Sequence, residues 1–156
     1  MPDPILTSAR DALRRSRDDT RAAFDGLPPD ALNWRPAGDD TSSIAAIANH
    51  ALTSTRQWLC VAVDAPLPDR DRPTEFEYTA RDAAELLALT DGLFEDCLSL
   101  VDKSREVDWG ALRRHWDPGR DIEVFAAWAL LHALEHLREH VGQMALTRQL
   151  WEARQP

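Results

Sequence analysis

Apolar residues recur at helical spacing in four long stretches of the chain, with polar and charged residues on the remaining faces. Strand-like alternation is short by comparison, and only residues 75–78 suggest a brief extended piece. We therefore predict an all-α fold. The four predicted helices run from about Ile5 to Phe24, from Ser42 or Ser43 to about Val63, from about Thr79 to Val101, and from Asp121 to about Trp151.

The predicted helix starts carry capping residues. Ser42 or Ser43 caps the second helix, Thr79 and Asp82 resemble a capping box at the third, and Asp121 caps the fourth. Prolines and glycines break the chain between the helices and leave about fifteen irregular residues in each connection, more than a minimal up-down bundle uses. We predict a four-helix bundle with long crossover connections or short helical turns within them.

Composition narrows the function classes. The chain has 156 residues, 44% of them hydrophobic, which suits a single domain over residues 1–156. Lys and Arg number 18 against 27 Asp and Glu, and the net charge of −9 argues against nucleic acid and membrane surfaces as partners. Because the N-terminus lacks a signal peptide pattern and no apolar run could span a bilayer, we expect a cytoplasmic protein. Cys60 and Cys97 lie in apolar patterns and are expected to be buried, unreactive thiols.

Three of the five histidines lie on one face of the fourth predicted helix. His132, His136 and His140 fall within about 80° of one another at 100° per residue. Ala129 and Thr147 share this face, so the histidines are expected on its buried side. Burying three imidazoles without partners is costly, and a metal ion bound by an i, i+4 pair removes that cost.

A third ligand must come from another helix. His50 is the one other histidine predicted on an inner helix face, and a bundle brings the second helix against the fourth. The spacing predicts a divalent metal site with an open position but leaves two choices for the pair on the fourth helix, 132/136 or 136/140. We predict that His115 is a surface residue, because it lies near Pro118 and Gly119 in a predicted loop.

Two other apolar features have two interpretations each. Trp34, Trp58 and Trp128 could line a pocket near the ion, although tryptophans at bundle positions usually belong to the core. The fourth helix also has an apolar strip opposite its histidine face, which indicates either a homodimer contact or burial under a long connection. This strip consists of Leu130, Leu134, Val141 and Ala145.

Three segments carry a resemblance to a known family: Leu32-Asn33-Trp34-Arg35-Pro36, the stretch from Ser43 through His50 to Trp58, and His136-x3-His140-Val141-Gly142-Gln143. On the basis of these segments, the chain resembles the DinB-like superfamily of small metal-binding bundles over nearly its whole length. The resemblance implies that His50, His136 and His140 bind the metal ion. His132 is then left beside the site, either as a support for it or as a space-filling residue. Gln143 lies one turn beyond His140 and either orients a metal-bound water or a bound ligand or donates a hydrogen bond to a neighbouring helix.

The resemblance also implies an activity. Relatives include metal-dependent transferases that activate a low-molecular-weight thiol of the mycothiol or bacillithiol type, with zinc or nickel as the expected metal and a small molecule as the substrate. A metal-dependent hydrolase is an alternative, but Glu135 and Glu139 point away from His136 on an ideal helix and are poor candidates for its general base. A second alternative is a non-catalytic stress or sensing protein. Catalytic residues and the substrate cannot be identified from the sequence.

Overall fold

The computed structural model describes residues 3–117 and 120–154. Four long helices, a short hairpin and several single turns make up these residues, and no described helix is long and apolar enough to cross a bilayer. The elements are α1 (Pro4–Phe24), α2 (Pro29–Leu32), a 3-10 turn (Gly38–Asp40), α3 (Ile44–Val63), α4 (Arg72–Glu75), α5 (Ala83–Lys103), β1 (Leu112–Asp117), β2 (Arg120–Phe125) and α6 (Ala126–Ala153).

Polar side chains cap the N-termini of three of the four long helices. The Asp3 carboxylate accepts hydrogen bonds from the first-turn backbone of α1, and the Ser43 hydroxyl accepts one from the Ala46 N–H of α3. The predicted cap at Thr79 is wrong by three residues. Asp82 caps α5 by accepting from the Glu85 N–H, and this arrangement leaves Thr79 outside the helix.

The predicted start of the last helix at Asp121 is also wrong. Strands β1 and β2 pair antiparallel, with His115 opposite Ile122, and α6 begins only at Ala126; this pair of strands is called the hairpin below. An ion pair between Arg114 and Glu123 crosses the hairpin on its exposed face. Pro118 and Gly119, which we expected in an irregular stretch, lie outside the described residues.

The short extended piece expected at residues 75–78 is not formed. Instead α4 makes one helical turn that ends at Glu75. Pro73 lies near its start, where the absence of a proline N–H is tolerated because the first N–H groups of a helix have no partner within it. This confirms the expected helical turn within a long connection. It also brings the side chain of Glu75 into the interior, where only 4% of the residue is exposed.

The bundle core lies between α1, α3, α5 and α6. Helices α3 and α6 pack along each other, and α1 and α5 complete the bundle, with α3 and α1 at opposite corners. Leu13, Leu59, Phe94, Leu137 and Met144 are fully buried there, and they hold the four helices in fixed relative positions.

The apolar strip on α6 lies inside this core. Leu130 and Val141 are buried, and Leu134 packs against the core. Most of the strip is therefore buried within one chain, and the homodimer contact stays a prediction. The two cysteines are buried as expected, and burial raises the pKa of the Cys60 thiol and that of Cys97, the latter to about 12.

Candidate metal centre

Three histidines meet where α3 packs against α6. His50 comes from the middle of α3, and His136 and His140 come from successive turns of α6. One ring nitrogen from each lies within 4.8 Å of the other two. The Nε2 atoms of His136 and His140 are 3.1 Å apart, close to the separation of two ligands on one tetrahedral ion. Of the candidate pairs on the last helix, 136/140 is the one that joins His50.

Gln143 fixes the orientation of His140. Its side-chain oxygen lies 2.7 Å from the His140 Nδ1, which donates the hydrogen bond because an amide oxygen can only accept. The Nε2 of His140 then carries a lone pair that faces the other histidines. Such support for the far nitrogen of a ligand histidine is typical of metal sites. Gln143 thus contacts a residue of its own helix, and the role expected for it at a metal-bound water or ligand stays a prediction.

Glu75 fixes the orientation of the His50 ring in a similar way. Its Oε2 lies 2.8 Å from the His50 Nδ1, which donates and leaves the Nε2 lone pair free. The carboxylate also accepts two hydrogen bonds from Arg70, at 2.6 and 2.9 Å. Sequence reasoning missed Glu75, because a single glutamate in a polar connection has no periodic or motif signal.

The third histidine of the cluster, His136, has a ring nitrogen without a hydrogen-bond partner among the described residues. This nitrogen is Nδ1, and it is buried. If the proton is on this Nδ1, the buried N–H has no acceptor in the part of the chain that the structure describes and, in addition, the Nε2 lone pairs of His136 and His140 face each other at 3.1 Å. If it is on Nε2, the buried Nδ1 lone pair is unsatisfied. Either tautomer costs about 1–3 kcal/mol. A cation between the Nε2 atoms removes the lone-pair repulsion in the first tautomer, so this donor set fits a metal ion.

The ionisation of the cluster also suits a metal. Burial lowers the pKa of His136 to about 3, with further lowering from the positive charges that His140 and His50 can carry. Burial likewise lowers the pKa of His140, although its hydrogen bond to Gln143 acts in the opposite direction. Both rings are therefore neutral near pH 7, and neutral imidazole is the form that binds metal ions.

Glu75 remains ionised despite its burial. Burial alone would raise the pKa of this carboxyl, but the hydrogen bonds and charges of Arg70 and His50 outweigh it and hold the pKa below its usual value. A negative charge therefore lies against the far side of His50. This charge makes the imidazole a stronger electron donor toward a bound cation.

A chain of hydrogen bonds continues from Glu75 to the hairpin. Arg70 donates to the Gln57 side-chain oxygen at 2.7 Å, so the Gln57 amide nitrogen must donate to His115 Nε2, also at 2.7 Å. The prediction that His115 is a surface residue is wrong, since only 3% of it is exposed. Pairing of β1 with β2 turns its ring inward, where it packs edge-on to Trp58 with ring centroids 5.0 Å apart.

His132 lies one turn before His136 and is not one of the three residues that could hold a metal ion together. Its ring stacks on Trp128, with centroids 4.8 Å apart, and meets Trp58 edge-on. It also contacts the ring of His136, so it is part of an aromatic cluster beside the three histidines. Trp58 is buried and Trp128 is 46% exposed, while Trp34 lies apart and packs edge-on against Trp151.

Two cavities flank the three histidines. The apolar cavity, of about 330 Å³, is bordered by His140 and Gln143 and is walled by Ile47, Phe76, Leu146 and Leu150, among others. The tryptophan cavity, of about 440 Å³, is bordered by His50 and His136 and is walled by Trp58, Trp128, Arg70, Arg72 and His132, among others. The histidine cluster can thus be reached from two chemically different sides.

The chain was compared with known proteins. Residues 12–144 match the family model of the DinB superfamily. Among solved structures, a conserved protein from Enterococcus faecalis is similar, with a TM-score of 0.74 and 16% sequence identity over 95% of this chain and 97% of that one. At this identity the likeness shows the fold alone. No curated protein matches the chain.

Proposed function

Because the chain belongs to the DinB superfamily, we propose that it binds one divalent metal ion through His50, His136 and His140 and acts as a metal-dependent thiol S-transferase. The observation that carries this proposal is the three-histidine cluster, whose ligand nitrogens lie within 4.8 Å of one another between two cavities. Among the described residues, the group that could hold a metal ion has three members rather than four, which supports a catalytic site with an open position.

His50, His136 and His140 would hold the zinc or nickel ion as neutral imidazoles, and the bound ion would supply a Lewis acid that lowers the pKa of a thiol near neutral pH. The protein's own contribution is orientation. Glu75 and Gln143 hold the rings of His50 and His140 so that both present Nε2 to the same point. The two cavities give a thiol and an electrophile separate approaches to that point.

The surroundings favour transfer over hydrolysis. Hydrolysis normally needs a carboxylate near the nucleophile as general base. Glu135 and Glu139 are exposed on α6, and Glu75 is already bonded to Arg70 and His50. Of the residues that the structure describes, no aspartate or glutamate lines either cavity. Access from two sides likewise favours an enzyme over a protein whose metal is only structural.

The test is an activity screen with matched variants. Zinc-loaded and nickel-loaded protein would be mixed with mycothiol, bacillithiol and other small thiols and with a panel of electrophiles, and thiol loss would be followed over time. We expect acceleration by the parent protein and a loss of at least about 100-fold in His140→Ala, a change of about 2.7 kcal/mol in transition-state stabilisation. The exposed Glu139→Gln variant is the control. Absence of acceleration with metal-loaded parent protein would contradict the transferase proposal.

A further inference from the structure

The tryptophan cavity has a wall that the proposed metal chemistry does not require. Trp128 and His132 from α6 stack with an angle of 11° between their rings, and Trp58 from α3 meets both edge-on. This packing fixes the Trp128 ring, yet 46% of the residue is exposed. A large aromatic face that is both rigid and accessible binds planar groups at low entropic cost.

The same cavity is basic in an acidic protein. The net charge of the chain is −9, but none of the described residues that line this cavity is acidic. Arg70 already donates to Glu75 and Gln57. Arg72 is exposed and has no ion pair among the side chains that the structure describes; its guanidinium lies over the Phe76 ring, 5.7 Å from the ring centroid. An unpaired guanidinium presents a planar fork that matches a carboxylate.

We propose that the tryptophan cavity binds a planar aromatic carboxylate, with its ring against Trp128 and its carboxylate at Arg72. The volume of about 440 Å³ accommodates a molecule of one or two rings. The cavity borders His50 and His136, so a reactive atom of the ligand would lie beside the histidine cluster. This inference names the chemical class of the ligand that the cavity binds. The ligand's role as a substrate rests on the proposed transferase function, whereas its binding does not.

The test uses three probes that separate charge from aromatic character. 1-Naphthoate carries both, 1-naphthamide is neutral, and cyclohexanecarboxylate is a non-aromatic anion. Isothermal titration of the full chain, metal-free and zinc-loaded, should give a Kd for 1-naphthoate at least about tenfold lower than for either other probe. Arg72→Gln should abolish the preference over the amide, and Trp128→Leu should abolish the preference over the non-aromatic acid.

Two exposed positions outside the cavity provide controls. Arg81→Gln removes another exposed arginine, and Leu131→Ala changes an exposed apolar residue of α6, so both should bind 1-naphthoate within about twofold of the parent. Circular dichroism and melting curves would confirm that every variant folds. If Trp128→Leu unfolds, Trp128→Phe replaces it, with a smaller expected loss of about threefold.

Three results would overturn the inference: no binding of 1-naphthoate, equal binding of all three probes, or binding that needs zinc and ignores both cavity substitutions. The last would show a carboxylate held by the metal alone. Selective binding without thiol transfer would leave the cavity assignment standing and contradict the proposed function. Thiol transfer without selective binding would support the proposed function and contradict the cavity assignment.

Discussion

Replacement of Glu75 by Gln tests the link between the long connection and the candidate metal centre. The substitution keeps the shape of the side chain and removes its charge. Three charge-assisted hydrogen bonds converge on this carboxylate, one from His50 and two from Arg70. The side chains of Glu75 and Arg70 are only 5% and 12% exposed, so solvent screens this pair weakly.

Two separate effects are expected. Loss of the partner behind a ligand histidine typically reduces metal affinity 10-fold to 100-fold, which is about 1.4 to 2.7 kcal/mol. The unpaired Arg70 charge should also destabilise the metal-free fold. Removing one partner of a buried pair costs about 3–5 kcal/mol, and because Gln keeps some of the hydrogen bonds we expect about 2 kcal/mol. That corresponds to a Tm lowered by roughly 4–8 °C in a chain of this size.

The assay measures the two effects independently. Competition with a chromophoric zinc chelator gives the metal affinity, and melting of the metal-free protein gives the stability. Glu77→Gln is the matched control, because Glu77 lies two residues away and is exposed. A folded Glu75→Gln variant that binds zinc within twofold of the parent would refute the role assigned to Glu75.

Three further predictions concern the rest of the site. Gln143→Ala should weaken zinc binding about fivefold to tenfold in the chelator assay and change the unfolding free energy by less than about 0.5 kcal/mol, because Gln143 supports His140 from an exposed position. His115→Ala should lower the unfolding free energy in urea by about 2 kcal/mol and leave the zinc stoichiometry unchanged, because His115 is buried but lies outside the cluster. Metal-free protein should lose stability as the pH falls below 6.5. The folded-state pKa of His136 is about 3, so between these values the unfolded chain takes up a proton that the folded chain does not. Because of this residue, the unfolding free energy measured in urea should be about 1–2 kcal/mol lower at pH 5 than at pH 7.5, and His136→Gln should reduce the difference.

The four long helices could be predicted because each has enough turns for the 3.6-residue period to stand out. The same period placed His50 on the inner face of its helix and aligned His136 with His140. Spacing alone did not separate this pair from 132/136. In the structure, the packing of α3 against α6 selects the pair, because it sets His50 against His136 and His140 and sets Trp58 against His132.

The hairpin was not predicted, because its two strands are short and carry opposite signals. In β2, Ile122 and Val124 pack against the core and alternate with exposed residues, as in an ordinary half-buried strand, but the alternation spans only a few residues. In contrast, Leu112 and Phe125 pair on the outer face and are 56% and 54% exposed, while the polar His115 points inward. Glu75 was missed for a different reason. It reaches His50 across 25 residues of chain, and a contact of that kind depends on tertiary packing rather than on local sequence.

The central claim is that His50, His136 and His140 hold one metal ion, and the most direct test is elemental analysis of protein purified without a histidine tag and supplemented with zinc or nickel. We expect one equivalent of metal in the parent chain and in His132→Ala, and less than about a tenth of an equivalent in His50→Ala, His136→Ala and His140→Ala after the same dialysis. Absence of metal from the supplemented parent would contradict the account. Full retention in any of the three ligand variants, or loss in His132→Ala alone, would contradict the assignment of the ligands.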